Sequence, residues 1–337
     1  SAYIFVRSGT TWTQQAKLLA SDAQGFDYFG CSVGIYGDYA IGGAYEENNA
    51  KGSAYIFVRS GTSWSQQAKL VASDNSSYFG GRYNKGIGIY GDYAIIGASE
   101  TAYIFVRSGT TWSKQAKLLS SDHASSDSFA YSVGIYGDYA IIGARADDDA
   151  GNGSGSAYIF VRSGTSWTQQ AKLLASDAYA NDYFGTSVAI YANAAVVGGP
   201  YNDDNGGASG TTYIFTRSGT TWTQKATIFA NDATTNDNFG WAVAISGKYI
   251  IAGASPQYQG GTTPNTMGSA HIFEGSYGTS IGTQQVEKWD SNINLDVSGN
   301  IYFSGEIYKN GSILNTSGSQ GAQGAEGAQG PAGGAQG

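Results

Sequence analysis

Cysteine is almost missing from this chain of 337 residues: Cys31 stands alone, so no intramolecular disulfide can form. That fits a reducing compartment, and equally an exterior protein stabilised by closed β architecture. Histidine is as scarce, with His123 and His271 only, which leaves little material for an imidazole metal cage or a Ser-His-Asp triad. Both histidines fall in repeated segments whose sister copies carry other residues, and both read as substitutions in a structural frame. Charge is thin at 13% and tilted to a net −8, which argues against a nucleic-acid partner, since phosphate binding needs a basic surface. No apolar run reaches the roughly 18 residues of a membrane helix, so no membrane insertion is expected. Proline falls to 4 while glycine reaches 50 and tyrosine 25. Aromatic and β-branched residues for strands, with glycine for tight turns, make an all-β composition.

What is present in quantity is repetition. The opening phrase SAYIFVRSGT returns at Ser53–Thr62 and 156–165 and, slightly altered, at 101–110 and 211–220, with a worn copy at Ser269–Phe273. The spacing lies near 50 residues, the range of propeller blades. One unit carries four strand signals: Ser187–Tyr191, Ala194–Gly198, Thr212–Arg217 and Trp222–Ala230. In sister copies the turn between the first two is Gly-Asp, at Gly37–Asp38, Gly91–Asp92 and Gly137–Asp138, suited to a hairpin because glycine tolerates positive φ. A Ser-Gly-Thr turn joins the last two. The first two strands are small and apolar, as the crowded centre of a propeller requires. The fourth carries Lys17, Lys69, Lys117 and Lys172 at one position, charges that discourage edge-to-edge pairing. The repeated Trp12, Trp64, Trp112, Trp167 and Trp222 are expected to be structural wedges between blades.

These residues resemble the FG-GAP repeat, the blade of integrin-α-like β-propellers. Its Phe-Gly stands at Phe29–Gly30, Phe79–Gly80, Phe184–Gly185 and Phe239–Gly240, with Phe129–Ala130 as a variant. Its Gly-Ala stands at Gly43–Ala44, Gly97–Ala98, Gly143–Ala144 and Gly253–Ala254, with Gly198–Gly199 as a variant. The resemblance covers about residues 1–290 and implies four-stranded meander blades and a binding role. Family members that hold calcium carry an acidic loop between the first two strands. Here that loop is only the Tyr-Gly-Asp-Tyr turn, and one aspartate cannot supply the six to eight oxygens of Ca²⁺. No cofactor is therefore expected; Asp147, Asp149, Asp203 and Asp204, which lie elsewhere, are weak metal candidates without EF-hand spacing.

In such a meander the 1–2 and 3–4 turns share one face, and the 2–3 loops share the other with the links between blades. The first face is monotonous, repeating Arg7, Arg59, Arg107, Arg162 and Arg217. The second varies. Its 2–3 loops differ in length and sequence, and recognition usually sits on loops held by a rigid scaffold. Candidate binding residues there are Tyr45, Glu46, Glu47, Asp147, Asp148, Asp149, Tyr201, Asp203, Asp204 and Tyr258. The regular Asp22, Asp27, Asp122, Asp127, Asp177, Asp182, Asp232 and Asp237 of the links are read as local turn and capping residues. The second copy has four extra residues between Phe79 and Tyr90, with Arg82 and Lys85, read as a bulge.

The composition changes after Asp290. Residues 291–316 form short alternating segments with Gly or Asn-Gly turns, a hairpin neck. In residues 317–337 glycine recurs every third position at Gly318, Gly321, Gly324, Gly327, Gly330 and Gly333, the period that a collagen triple helix needs because only glycine fits its axis. Such a stalk resembles those of viral and bacterial surface fibres and implies a homotrimer. Counting from Phe29, five complete blades fit before residue 290, and residues 1–20 read as strands three and four of another. Leu295–Gly305 aligns with Val243–Gly253 and could supply the missing inner strands. Six blades are expected, or seven in a larger ring. The expected role is a non-enzymatic extracellular or virion-surface head, held by a capsid or fibre anchor, that meets a cell-surface protein or glycan receptor. A purely structural decoration protein and, less so, a glycan-active enzyme are the alternatives.

Overall fold

The structure, a computed structural model, describes residues 1–74, 76–81, 86–255 and 268–275, together with the backbone of four short strands beyond residue 285. A two-stranded antiparallel pair opens the chain, β1 (Ala2–Ser8) with β2 (Thr11–Leu18). The first blade is β3 (Val33–Tyr36), β4 (Tyr39–Ala44), β5 (Ser53–Ser60) and β6 (Ser63–Leu70). The second is β7 (Ile87–Tyr90), β8 (Tyr93–Ala98), β9 (Thr101–Ser108) and β10 (Thr111–Leu118). The third is β11 (Phe129–Tyr136), β12 (Tyr139–Ala144), β13 (Ser156–Ser163) and β14 (Ser166–Leu173). The fourth is β15 (Ser187–Tyr191), β16 (Ala194–Gly199), β17 (Thr211–Ser218) and β18 (Thr221–Ile228). The fifth is β19 (Phe239–Ser246), β20 (Tyr249–Ala254), β21 (Ser269–Glu274) and β22 (Val286–Trp289), extended by β23 (Asn294–Leu295). Each sheet is an antiparallel meander in chain order. The chain is an all-β propeller of four-stranded blades.

The first strands of successive blades stand against one another and the fourth strands barely meet, so the sheets fan out from a crowded centre. That crowding explains the small residues: a side chain at Gly34 would meet Ile41 Cγ2 at 3.1 Å and Ile89 Cγ2 at 3.4 Å. The second strands are buried on both faces, so they read as continuous apolar runs such as Tyr-Ala-Ile-Ile-Gly-Ala. The fourth strands alternate and keep their polar residues outward. Between blades lie clusters such as Ile41, Ile56, Phe79, Ile96 and Tyr103.

The Phe-Gly and Gly-Ala pairs act across the blade interface. A Cβ on Gly143 would lie 2.0 Å from the Gly185 carbonyl oxygen, and one on Gly198 would lie 2.0 Å from that of Gly240. The glycine of one blade's second strand therefore rests directly on the backbone of the next blade's Phe-Gly turn. The phenylalanines beside those turns, Phe79, Phe129, Phe184 and Phe239, are fully buried. Each meets an aromatic ring of its own blade's third strand, as Phe184 meets Tyr213 with ring centroids 5.2 Å apart.

A β-bulge recurs between the third and fourth strands and leaves Gln15, Gln67, Gln115 and Gln170 out of register. A bulge re-aims the side chain of its extra residue, and here the freed amide accepts the indole N–H of the next blade: Trp64 to Gln15 at 2.9 Å, Trp112 to Gln67 at 3.0 Å, Trp167 to Gln115 at 2.8 Å and Trp222 to Gln170 at 3.0 Å. Trp12, with no blade before it among the described residues, is 63% exposed.

The described structure has five complete blades, which corrects the expectation of six or seven. Among the described residues, the place before the first blade is held by β1 and β2 alone. A Cβ on Gly30 would meet the Ser1 carbonyl oxygen at 2.4 Å, as one on Gly80 would meet that of Ser53 at 2.5 Å. The pair therefore stands where strands three and four of a preceding blade belong. Its inner strands are missing from the described residues, and the face they would cover is open: Val33 and Ile35 are 58% and 59% exposed, where the equivalent Ile87 and Ile89 are buried. Of the hairpin expected to fill it, Leu295 pairs with Glu287 at the outer edge of the fifth blade, and 296–305 lie outside the described residues. So do Tyr258, Arg82, Lys85 and the Gly-X-Y tract at 317–337. Gly81 and Gly86, on either side of residues 82–85, approach closely: a Cβ on Gly86 would lie 2.4 Å from the Gly81 Cα.

Candidate binding face

The two faces of the propeller differ in how finished they are. On the face of the 1–2 and 3–4 turns, the arginines of the first four complete blades are tied down. Arg59, Arg107 and Arg162 pair with Asp38, Asp92 and Asp138 of their own blades, and Arg217 bonds Asn193 instead. Arg107, Arg162 and Arg217 also lie over Tyr39, Tyr93 and Tyr139 of the preceding blade, 4.4 to 4.5 Å from the ring centroids. Asp38, Asp92 and Asp138 occupy the only acidic position of the shortened turn and are held by arginine, so the residues present do not fit calcium there.

The opposite face holds a second clamp that sequence reading missed. Lys172 on β14 reaches Asp122 at 2.7 Å, Asp147 at 3.0 Å and also Asp149. Tyr158 on β13, directly opposite Lys172 in register, holds its hydroxyl within hydrogen-bond reach of two acceptors, Asp122 at 2.9 Å and Asp147 at 2.7 Å. Asp122 comes from the link before the blade and Asp147 and Asp149 from its 2–3 loop. Lys69 does the same between Asp22 at 2.6 Å and Glu47 at 2.9 Å, and Lys117 reaches Asp74 at 2.6 Å. The lysines thus bind link to blade, a role beyond guarding an edge. The link aspartates divide accordingly. Asp27, Asp127, Asp182 and Asp237 accept the backbone N–H three residues earlier, as local turn residues do. Asp22, Asp74 and Asp122 belong to the clamp.

In the fourth blade two members have changed together. Thr227 stands opposite Tyr213 where lysine would be, and Asn202 stands where Asp147 does. Asn202 keeps the geometry: its Oδ1 accepts the Asp204 N–H at 3.2 Å, as Asp147 accepts that of Asp149, and its amide donates to the Tyr213 hydroxyl at 3.2 Å. Partial loss of hydration and the neighbouring Asp177 raise the Asp204 carboxyl, and burial pushes Asp182 up to about 6. Of the candidate metal residues, Asp147 and Asp149 share an ammonium, while Asp203 and Asp204 are exposed on the loop. No cluster of three or more His, Cys, Asp or Glu suited to a metal occurs among the described residues.

The FG-GAP repeat family matches residues 12–57, 112–160, 167–215 and 222–273, more than half of the chain. The chain belongs to the FG-GAP repeat family. No curated protein matches it. The unmatched stretch 58–111 holds the first three strands of the second blade, the one with the longer segment after Phe79 and almost no 2–3 loop. No helix among the described residues is long and apolar enough to cross a membrane.

The residue before each FG turn adopts positive φ: Tyr28 at 57°, Tyr78 at 59°, Ser128 at 55°, Tyr183 at 52° and Asn238 at 54°. Asparagine tolerates this conformation; for a bulky side chain it is an outlier. The three tyrosines nevertheless hold it, and each presents its ring on the variable face. Tyr45 stacks on Tyr28 with centroids 5.3 Å apart and lies 6.4 Å from Tyr78. Arg145 lies over Tyr131 and Tyr183, and Tyr201 sits between Tyr183 at 5.2 Å and Trp241 at 6.3 Å. Candidates Tyr45 and Tyr201 are thus part of aromatic clusters on this face. Glu47 is bound to Ser53 and Lys69, whereas the Glu46 carboxylate has no hydrogen-bond partner among the described residues. Asp148 is exposed.

Proposed function

We propose that this FG-GAP propeller is a non-enzymatic binding head that recognises a cell-surface receptor through the face of its 2–3 loops and links. One observation carries the reading. Strands, turns and arginines repeat almost unchanged from blade to blade, while variation in length and sequence is confined to one face, where strained tyrosines hold their rings outward. Strain at positions that cheaper residues could fill accompanies function. The Gly-X-Y tract at residues 318–333 supports a collagen-like trimeric stalk that would present three heads on an extracellular or virion surface, gaining avidity from weak single contacts. Catalysis would need converging carboxylates in a pocket; the link aspartates are instead tied into clamps and turns repeated in several blades.

The test is binding of the fluorescently labelled full chain to a panel of cells. A subset of cells should be stained, and exchanging loops 145–155 and 200–210 for the two-residue loop Ser99–Glu100 should abolish staining while the variant still melts in one cooperative transition, at a midpoint lowered by the loss of Asp147 and Asp149 from the Lys172 clamp. Staining that survives both exchanges would remove the loops from the recognition surface.

A further inference from the structure

One groove on this face belongs to the first blade alone. It runs between the link Gln24–Tyr28 and the loop Glu46–Asn49 and encloses about 620 Å³, a size within the range of small-ligand sites. Phe26 forms one wall. Its ring is 86% exposed and its φ is 71°. The same position of the fourth and fifth links is held by Asn181 at 70° and Asn236 at 68°. A phenylalanine there takes a conformation that suits asparagine and gains no burial for its ring. Nothing among the described residues accounts for it; an apolar surface laid against the ring does. The facing loop is equally forced, with Asn48, Asn49 and Ala50 in succession at φ 54°, 58° and 62°. This left-handed turn sets two amide side chains and the unpartnered Glu46 carboxylate on the groove.

A flat exposed ring opposite a row of amides and a carboxylate is what one pyranose unit requires. Its axial C–H face lies on the ring, and its adjacent hydroxyls donate to carboxylate oxygens and exchange hydrogen bonds with amides. The charge of the site selects among sugars. Lys69, which reaches Asp22 of the link and Glu47 of the loop, is held between those two carboxylates. Glu46 and Asp27 therefore repel sialylated, uronic or sulfated units. We propose that this groove is a glycan subsite that takes an uncharged pyranose, laid on Phe26 and hydrogen-bonded by Glu46, Asn48 and Asn49. It rests on the reading of the variable face as the recognition face and names the chemistry recognised there.

The test uses the full chain on an array of neutral, sialylated and sulfated glycans, with titration calorimetry on the best neutral hit. Binding of neutral glycans is expected, with a dissociation constant on the order of 1 mM for a single subsite. Phe26→Asn, which restores the residue of the sister links, is expected to weaken binding at least tenfold while raising the melting temperature by about 2–4 °C as the left-handed strain is relieved. Glu46→Ala should weaken it at least fivefold. Loss of binding with a higher melting point cannot come from misfolding. The proposal is overturned by an array with no neutral hit, by binding restricted to anionic glycans, or by undiminished affinity in Phe26→Asn. Cell staining that persists after enzymatic deglycosylation but is lost on loop exchange would overturn the glycan subsite and leave the binding head standing. Absent staining on every cell would count against the head itself.

Discussion

Replacing Lys172 by threonine would reproduce in the third blade half of what the fourth already has. The ammonium lies within 3.0 Å of Asp122 and Asp147 and also meets Asp149. Its side chain is 16% exposed and that of Asp147 4%, so the site is mostly shielded from water and its charges are poorly screened. Removing one partner of a buried ion pair costs about 3 kcal/mol, because the remaining charge is left uncompensated. For a domain of this size that is a fall of roughly 6–12 °C in melting temperature. Asp147→Asn alone leaves Lys172 with two carboxylates and should cost less, about 1 kcal/mol. The double variant, Lys172→Thr with Asp147→Asn, copies the natural Thr227 and Asn202. It should recover at least about 1.5 kcal/mol of the sum, the coupling expected of residues in one network. Calorimetry on the four corners of this cycle measures it. The deficit of Lys172→Thr should also shrink as pH falls from 7 towards 4, because carboxylates left facing one another hold protons more tightly in the folded chain than in the unfolded one. Strictly additive losses, or a Lys172→Thr variant within about 0.5 kcal/mol of the parent, would refute the clamp.

Gly143→Ala places a methyl group 2.0 Å from the Gly185 carbonyl oxygen and should cost about 3 kcal/mol or more by thermal melting. Gly61→Ala, with φ +61° but open space around it, should cost only about 1 kcal/mol. Trp222→Phe loses the 3.0 Å bond to Gln170 and a buried contact, about 1–2 kcal/mol, whereas Trp12→Phe at 63% exposure should change the melting temperature by no more than about 1 °C. Burial raises Asp182 to about 6 in the folded chain, above its unfolded value. Its favourable contribution is therefore complete below pH 4 and is lost as pH rises through 6. Asp182→Asn should stabilise the protein by about 1 kcal/mol at pH 7 and leave it unchanged at pH 3.5, read from denaturant midpoints at the two values.

The blade itself was legible because it is written several times. Ser187–Tyr191 coincides with β15, and the Gly-Asp hairpins fall between the strands they were expected to join. The division into a uniform and a variable face followed from the meander alone. The contacts between blades were not legible. Trp222 and Gln170, or Lys172 and Asp122, lie about fifty residues apart, and strand periodicity says which side a residue faces but not which neighbour it meets. Gln170 was hidden further because a bulge removes it from the alternation. A signal did exist: Thr227 and Asn202 depart from the repeat in the same blade, and two departures together point to a contact. Blade number depended on strands that would have to come from outside the repeats, which periodicity cannot count. Phe26 escaped notice because its oddity is conformational, a left-handed backbone angle that no residue type announces.

The interlocking glycines have a consequence for how such a protein can change. Where Gly143 meets Gly185 and Gly198 meets Gly240, two main chains touch with no side chain between them, so the angle from one blade to the next is fixed by the radii of atoms that every sequence shares. Substitution elsewhere cannot thicken or thin that joint. The loops above it are free to diversify in length and chemistry while the pitch of the array stays constant, much as interchangeable heads fit a handle whose thread never varies.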